Sequence, residues 1–278
     1  MQRKKNIFQY IFILGLLLQL TACSEFIRIQ RYTDPLKKYE AAINYYNDKS
    51  YAKALLLFEE IIPLLAGSKE SETAQFYHAY CYFYQEDYEL SAYYFDKFFN
   101  TFRRSNFAEE AYFMYVNSLY KKALSFHLDQ SETQRAIASS QTMINMYKET
   151  AYKEECERII EDLTNRLEKK AFYHARLYAR IGYNKSAVIT FENFQKDFPD
   201  SDYSEEVAYQ KIVQQYKYAK NSTERRMEDR FNTMITFYEY LVDNYPDSRY
   251  IKMVENYYDD ALVQIQKLKQ KKNGTVKL

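Results

Sequence analysis

Tryptophan is absent from this 278-residue chain, and glycine and proline occur only four times each. A chain so poor in breakers cannot supply the many tight turns of a β-sandwich or barrel; it suits long helices joined by short corners. Histidine is scarce as well: His78, His127 and His174 are too scattered to form a metal-binding pair on one helix face. No glycine-rich phosphate loop, G-x-S-x-G elbow or HExxH motif occurs. Acidic pairs do occur, at Glu59-Glu60, Glu109-Glu110, Glu154-Glu155 and Glu205-Glu206. Adjacent helical residues point about 100° apart, so these read as solvated face charges and not as acid–base dyads. An enzyme is therefore the least expected class, and no cofactor or metal is expected. Charge of one sign is also lacking. The 39 basic and 38 acidic residues give no general drive toward nucleic acid or an anionic surface. The local exception is Lys267, Lys269, Lys271 and Lys272, where positive charge suits a helix C-terminus.

The chain has no apolar run of the ~20 residues needed to span a bilayer. Ile11 to Leu18 form a shorter apolar core behind Arg3, Lys4 and Lys5, the pattern of a secretory signal. The segment ends in Leu20-Thr21-Ala22-Cys23, which resembles the lipobox of bacterial lipoproteins. The resemblance implies removal of residues 1–22 and attachment of a diacylglyceryl thioether and an amide-linked acyl chain to Cys23. A thiolate is readily alkylated, and two or more acyl chains hold a protein stably on a bilayer at ~0.8 kcal/mol per buried CH₂. The alternative is an ordinary signal peptide with a chance cysteine. Residues 23–34 are expected to form the lipidated cysteine and a flexible tether. Cys81 and Cys156 fall in helices of non-adjacent units and are expected as buried thiols, with a disulfide left open by an oxidising compartment.

What the chain has in abundance is aromatic, with 31 tyrosines and 19 phenylalanines, and these recur in register. Tyr51-x-x-Ala54-x-x-x-Phe58, Tyr88-x-x-Ser91-x-x-x-Phe95 and Asn184-x-x-Ala187-x-x-x-Phe191 share one spacing. Ala42, Ala79 and Ala175 stand at one offset before these markers, and Tyr45, Tyr82 and Tyr178 at another. Two helices approach closely only where one lacks bulk, and the next aromatic fills the space beside the crossing. The register resembles the tetratricopeptide repeat (TPR). The expected fold is all-α, a superhelical stack of about five TPR-like helix pairs with a C-terminal capping helix. The pairs are expected near 35–66, 71–102, 106–147, 152–198 and 203–245, with insertions at Phe126–Gln134 and Asn221–Arg226. The capping helix is expected near Arg249–Lys272 and a disordered tail at 273–278.

A second signature marks the corners between pairs. Phe102-Arg-Arg-Ser105-Asn-Phe107, Tyr147-Lys-Glu-Thr150-Ala-Tyr152, Phe198-Pro-Asp-Ser201-Asp-Tyr203 and Tyr245-Pro-Asp-Ser248-Arg-Tyr250 share aromatic-x-x-(Ser/Thr)-x-aromatic. The prolines stop the preceding helix, the hydroxyl residue is placed to cap the next, and the flanking aromatics to staple the corner. Lipobox, repeat number and Phe-Pro-x-Ser-x-Tyr corners together resemble the BamD family, TPR lipoproteins of the outer-membrane β-barrel assembly machinery. Arg103-Arg104 departs from that pattern where Pro-x is expected.

The resemblance implies a non-catalytic scaffold in the assembly and insertion of β-barrel proteins, anchored to the outer membrane with its body facing the periplasm. Its partners would be unfolded outer-membrane proteins, the periplasmic domains of the β-barrel insertase subunit, and the bilayer through the acyl anchor. Another TPR lipoprotein scaffold, for pilus or secretin assembly or for cell-wall synthesis, is the second reading. The repeat register turns Tyr39, Ile43, Tyr46, Phe76, Tyr80, Phe83 and Tyr84 toward the inner face of the N-terminal repeats (35–147) as a candidate peptide-binding groove. Alternatively, several of them fill inter-repeat space. In the C-terminal repeats (148–272), Arg176, Arg180, Arg225, Arg226 and Arg230 are candidate partner-docking residues, or else a solvated helix face.

Overall fold

The computed structural model describes residues 25–275; Cys23 and the signal segment lie outside the described residues. Among those residues there is no strand, and a helical turn at 25–30 precedes eleven helices. They are α1 (Pro35–Asn47), α2 (Tyr51–Ile61), α3 (Glu70–Tyr84), α4 (Tyr88–Thr101), α5 (Ala108–Lys122), α6 (Ser131–Met146), α7 (Lys153–Arg180), α8 (Asn184–Asp197), α9 (Ser204–Lys220), α10 (Glu224–Asn244) and α11 (Tyr250–Thr275). The fold is all-α and TPR-like: α1 pairs with α2, α3 with α4, α5 with α6 and α9 with α10, and α11 packs on α10, while Phe172 and Ala175 of α7 share a core with Ala187, Phe191 and Phe194 of α8.

The repeat residues sit where steric reasoning puts them. Ala42, Ala79 and Ala175 on the first helices are fully buried, as are Ala54, Ser91 and Ala187 on the second. Phe58, Phe95 and Phe191, one turn on, are fully buried beside them; burial of such a side chain contributes about 1.5–3 kcal/mol. Helix starts follow their local chemistry. The Asp34 carboxylate accepts from the Leu36 amide at 2.9 Å, with Pro35 in the first turn.

The turn inside a pair is also repeated. Lys49 (φ 59°), Glu86 (φ 62°) and Gly182 (φ 83°) all adopt left-handed backbone two residues before the next helix. In each case the following amide donates back across the helix end, Ser50 to the Tyr45 carbonyl (2.8 Å), Asp87 to Tyr82 (3.0 Å) and Tyr183 to Tyr178 (3.0 Å). This is a Schellman ending, normally closed by glycine, yet two of the three turns carry a long side chain.

The corners form one hydrogen-bonded device used four times. The amides of Ser105, Thr150, Ser201 and Ser248 donate to the carbonyls of Phe102, Tyr147, Phe198 and Tyr245. The hydroxyls of the same four residues accept from the amides of Phe107, Tyr152, Tyr203 and Tyr250, at 2.9, 3.2, 3.0 and 3.1 Å. The hydroxyl residue thus acts ahead of the position expected for a helix cap, by two residues at Ser105, Thr150 and Ser201 and by one at Ser248, because the corner closes its own turn before the helix begins. The Ser105 hydroxyl also donates to Glu72, and that of Ser248 to Glu205 at 2.5 Å, tying each corner to the first turn of the preceding pair.

The second corner aromatic stacks face to face on a ring of that preceding first helix. Phe107 lies on Phe76 (4.5 Å between centroids), Tyr152 on Phe113 (4.1 Å), Tyr203 on Phe172 (4.2 Å) and Tyr250 on Tyr209 (4.6 Å). Such pairs contribute about 0.5–1.5 kcal/mol beyond the area they bury.

The chain divides into two compact units, one of residues 1–124 with 129–163 and one of 125–128 with 164–278. The sequence places the change of half at 147/148; it falls instead within α7. Cys156, Ile159 and Leu163 in the first half of α7 are buried in the same core as Phe95, Phe98 and Leu119, whereas Phe172 and Ala175 belong to the core of Phe191 and Phe194. Two further expectations differ. The segment read as a flexible tether is helical at 25–30, with Ile29 buried in the first-pair core and Phe26 edge-on to Tyr45 at 5.6 Å. Helix α11 runs to Thr275, into the segment expected as a tail.

A glycine relieves left-handed strain, and nothing lies within 4 Å of a Cβ built at Gly182, so backbone alone decides substitution there. Gly182→Ala should lower unfolding stability by about 1 kcal/mol, and Lys49→Gly should raise it by about 0.5–1 kcal/mol, read from urea midpoints at constant slope.

Candidate functional site

A tyrosine cluster joins α1, α2 and α3. Tyr46 lies at its centre, with ring centroids 4.5 Å from Tyr77, 5.6 Å from Tyr51, 6.2 Å from Tyr84 and 6.4 Å from Tyr80. Tyr51 and Tyr84 stack in parallel at 4.5 Å. Alpha-helical spacing puts Tyr77, Tyr80 and Tyr84 on one stripe of α3, and the short turn after α1 returns Tyr51 beside them. Burial raises the pKa of Tyr46, with the Tyr84 phenol beside it adding to the rise. Tyr80 is raised by burial and by its hydrogen bond to Glu110 at 2.5 Å. The Tyr46 and Tyr80 phenols therefore stay protonated at neutral pH, able to donate hydrogen bonds while the ring edges pack on apolar groups.

The six aromatic residues expected in the groove separate, and the seventh residue, Ile43, is half-buried against the first-pair core. Phe76 is only 3% exposed, held under Phe107 and against Phe95 and Phe98. Tyr80 is 8% exposed, its hydroxyl turned to Glu110. Both are core residues and correct the sequence reading: the corner aromatic that follows α4 covers their side of α3. Phe83 is half-buried against Tyr88. Tyr39 and Tyr46 are half-buried, and Tyr84, at 46% exposure, is the most open of the six. Tyr51 and Tyr77 belong to the cluster and were missed. The signal for Tyr51 was its place at the first position of a repeat marker, opposite the end of α3.

In the second unit, Arg176 and Arg180 stand one turn apart on α7. With Tyr173, Leu177, Ala179, Gln210 and Gln214 they line a cavity of about 360 Å³. The Arg176 guanidinium lies over Phe172 and Tyr173 at 5.6 and 5.8 Å and is 3.9 Å from Glu206. Arg230 is drawn elsewhere, 3.8 Å over the Tyr218 ring and donating to the Ser222 hydroxyl. Arg225 and Arg226 are exposed in the first turn of α10. The five arginines thus form two groups, α7 and the start of α10.

Cys81 and Cys156 are free buried thiols, as expected, pushed up to about 12 and about 11 by burial. Among the described residues no group of His, Cys, Asp and Glu could hold a metal ion, and no helix is long and apolar enough to cross a membrane.

A family model described as outer membrane lipoprotein, YfiO, matches residues 33–230. The chain belongs to this family. The BamD-family resemblance carried by its repeats and corners is thereby borne out, and the YfiO-family match runs from the start of α1 into α10. A protein of Aquifex aeolicus (strain VF5), provisionally named outer membrane protein assembly factor BamD, is 26% identical over 211 residues. That alignment covers 75% of this chain and 66% of the relative, so the chain spans just under two thirds of the relative's length. Among solved structures, a TPR repeats protein of Bacteroides fragilis NCTC 9343 aligns at 14% identity and a TM-score of 0.41, covering 86% of this chain and 99% of that one. The TPR domain of P58(IPK) aligns at 10% identity and a TM-score of 0.39, covering 90% and 68%. Likenesses this low bear no argument.

His78 and His174 stand at equivalent repeat positions, each one residue before the small alanine of its crossing, yet only His78 is buried. His174 is exposed beside Tyr178. His78 is 4% exposed, edge-on to Tyr94 (4.4 Å) and Tyr82 (5.1 Å), in a cavity that also holds Glu59 and Lys97. Burial and, secondarily, Lys97 lower its pKa from 6.5 to about 4. A depressed folded pKa means that stability is whole above about pH 6.5 and is lost as pH falls through about 4. His78→Leu should remove on the order of 2–3 kcal/mol of the stability lost between pH 7 and pH 4, measured as the difference between native and variant pH–stability curves.

Proposed function

We propose that this chain is a lipid-anchored, non-catalytic scaffold for the assembly of β-barrel proteins into the outer membrane, its body facing the periplasm. The observation that carries the reading is the outer membrane lipoprotein family match over residues 33–230. The relative's name, outer membrane protein assembly factor, supports it. The anchor is Cys23, carrying a diacylglyceryl thioether and an N-acyl chain; two chains suffice for stable attachment.

The first unit receives the unfolded barrel protein. Tyr84, Tyr51 and Tyr46 offer exposed or half-exposed phenol rings beside one another, and Tyr39 adds a half-buried one on α1. Rings of this kind stack on aromatic side chains and hydrogen-bond to an extended main chain at low entropic cost, since each has few rotatable bonds. In the second unit, the arginines of α7 and of the start of α10 dock the periplasmic domains of the barrel insertase. Arg176 and Arg180 are the stronger pair, because they are adjacent and flank a cavity.

Two experiments test this reading. A photo-crosslinking phenylalanine derivative at Tyr84, irradiated in native membranes, should yield adducts with nascent barrel proteins. Tyr84→Ala should weaken capture of such a chain about ten-fold. Adducts with a secretin or a peptidoglycan synthase, and none with barrel proteins, would assign the scaffold to another pathway. Separately, Cys23→Ala should leave an unlipidated precursor without acyl label. Membrane-bound, acyl-labelled variant protein would contradict the anchor.

A further inference from the structure

Residues 25–30 are helical, and the two faces of this segment differ in kind. On one face, Ile29 is buried among Ala41, Ala42, Leu57 and Phe58. On that side Phe26 meets the edge of Tyr45, and the Lys53 ammonium lies 5.8 Å over Phe26 and 5.3 Å over Tyr45. This turn is therefore seated on the first helix pair through apolar and cation–π contacts. The other face carries Ile27, Arg28 and Arg31, all exposed, with Ile27 at 45%. At 100° per residue these three fall within one stripe of the turn, away from Phe26 and Ile29. The Arg28 guanidinium has Glu25 at 3.8 Å, an exposed pair of little strength.

The position of this stripe in the chain gives it a partner. Cys23 precedes Glu25 by two residues, a reach of at most about 7 Å. A phospholipid surface holding the acyl chains of Cys23 must then lie against the same turn. An exposed isoleucine flanked by two arginines next to an acyl anchor is a surface suited to the boundary of headgroups and chains, with the cations at the phosphates.

We propose that residues 25–31 form a membrane-contacting seat, which lays Ile27, Arg28 and Arg31 on the phospholipid surface and fixes the first helix pair there without a flexible tether. The inference rests on lipidation of Cys23 and not on β-barrel assembly. It assigns these three residues to lipid contact, and it makes the tyrosine cluster of α1–α3 part of a body held close to the bilayer rather than one free to swing.

The test uses the full lipidated chain in vesicles of zwitterionic phospholipid, with and without an added anionic phospholipid. Ile27→Cys, labelled with an environment-sensitive fluorophore, is compared with Tyr240→Cys labelled likewise; Cys81 and Cys156 are buried and inert to the reagent. The label at position 27 should shift to the blue and be quenched about two-fold by nitroxide-bearing phospholipid, at the shallow depth of an interfacial helix, while the label at 240 is not. Arg28→Glu combined with Arg31→Glu should reduce the quenching gained on adding anionic lipid. A chain that sediments with vesicles yet shows equal, water-like emission at both labels would overturn the seat alone. A chain that lacks acyl label and stays in solution would overturn the seat together with the anchor reading, and the sedimentation control separates the two results.

Discussion

The structure depends on a ring laid flat on a ring. At four corners the aromatic that opens the next helix pair stacks on an aromatic of the pair before it. Paired helices alone would leave each module free to slide against its neighbour, since alanine crossings specify closeness but little about register. The stack adds an orientation, because a parallel offset pair has a definite plane and separation. The hydroxyl residue two positions earlier fixes the backbone that delivers the ring, and in two corners it also reaches a glutamate of the preceding first helix. The departure at Arg103-Arg104 leaves this device intact. Phe107 still stacks on Phe76, since what the corner requires is the aromatic and the hydroxyl rather than the proline.

Much of this was legible in the residues. The spacing of Ala42, Ala79 and Ala175 from their partners Ala54, Ser91 and Ala187 leads straight to fully buried crossings, because only small side chains satisfy a close approach. The corner motif could be read as a staple, though not as a stack: sequence gives the order of aromatics but no ring planes. Charge and glycine content were less informative about local backbone. Lys49 and Glu86 occupy left-handed positions that their side chains would not suggest, held by the main-chain bonds that close each helix. The turn at 25–30 was invisible for a related reason. Residues 25–30 owe their place to the seat that Ile29 and Phe26 find on the first helix pair, a tertiary contact that local sequence does not announce.

The candidate site shows where periodicity runs out. Phe76, Tyr80 and Tyr84 repeat at helical spacing on α3, and any inward-facing stripe would include all three. They nonetheless pass from 3% to 8% to 46% exposure along the helix. The gradient arises because Phe107 arrives over the start of the stripe and Glu110 engages its middle, while Tyr84 at the end of α3 meets Tyr51 of α2 and Tyr46 of α1 and keeps its remaining side open. Which aromatic is core and which is surface is thus decided by a residue some thirty positions away. The arginines divide for a similar reason. Arg230 is claimed by Tyr218 and Ser222, whereas Arg180 lines an open cavity with Arg176.

The same logic explains why an open aromatic surface lies at the first helix pair. Tyr39 stands three residues before Ala42, as Phe76 stands before Ala79 and Phe172 before Ala175. Phe76 and Phe172 are each covered by the aromatic of the following corner. The corner after α2, residues 62–69, contains no aromatic residue, so Tyr39 has no ring laid over it and remains half-buried, its hydroxyl engaged with Thr73. Absence of one ring from a repeating staple leaves Tyr39 of the first pair half-buried where its counterparts are covered. A ring supplied at that corner would bury Tyr39 as Phe76 is buried. The openness of Tyr39 is therefore a consequence of an incomplete repeat, and no separate binding motif is needed to produce it.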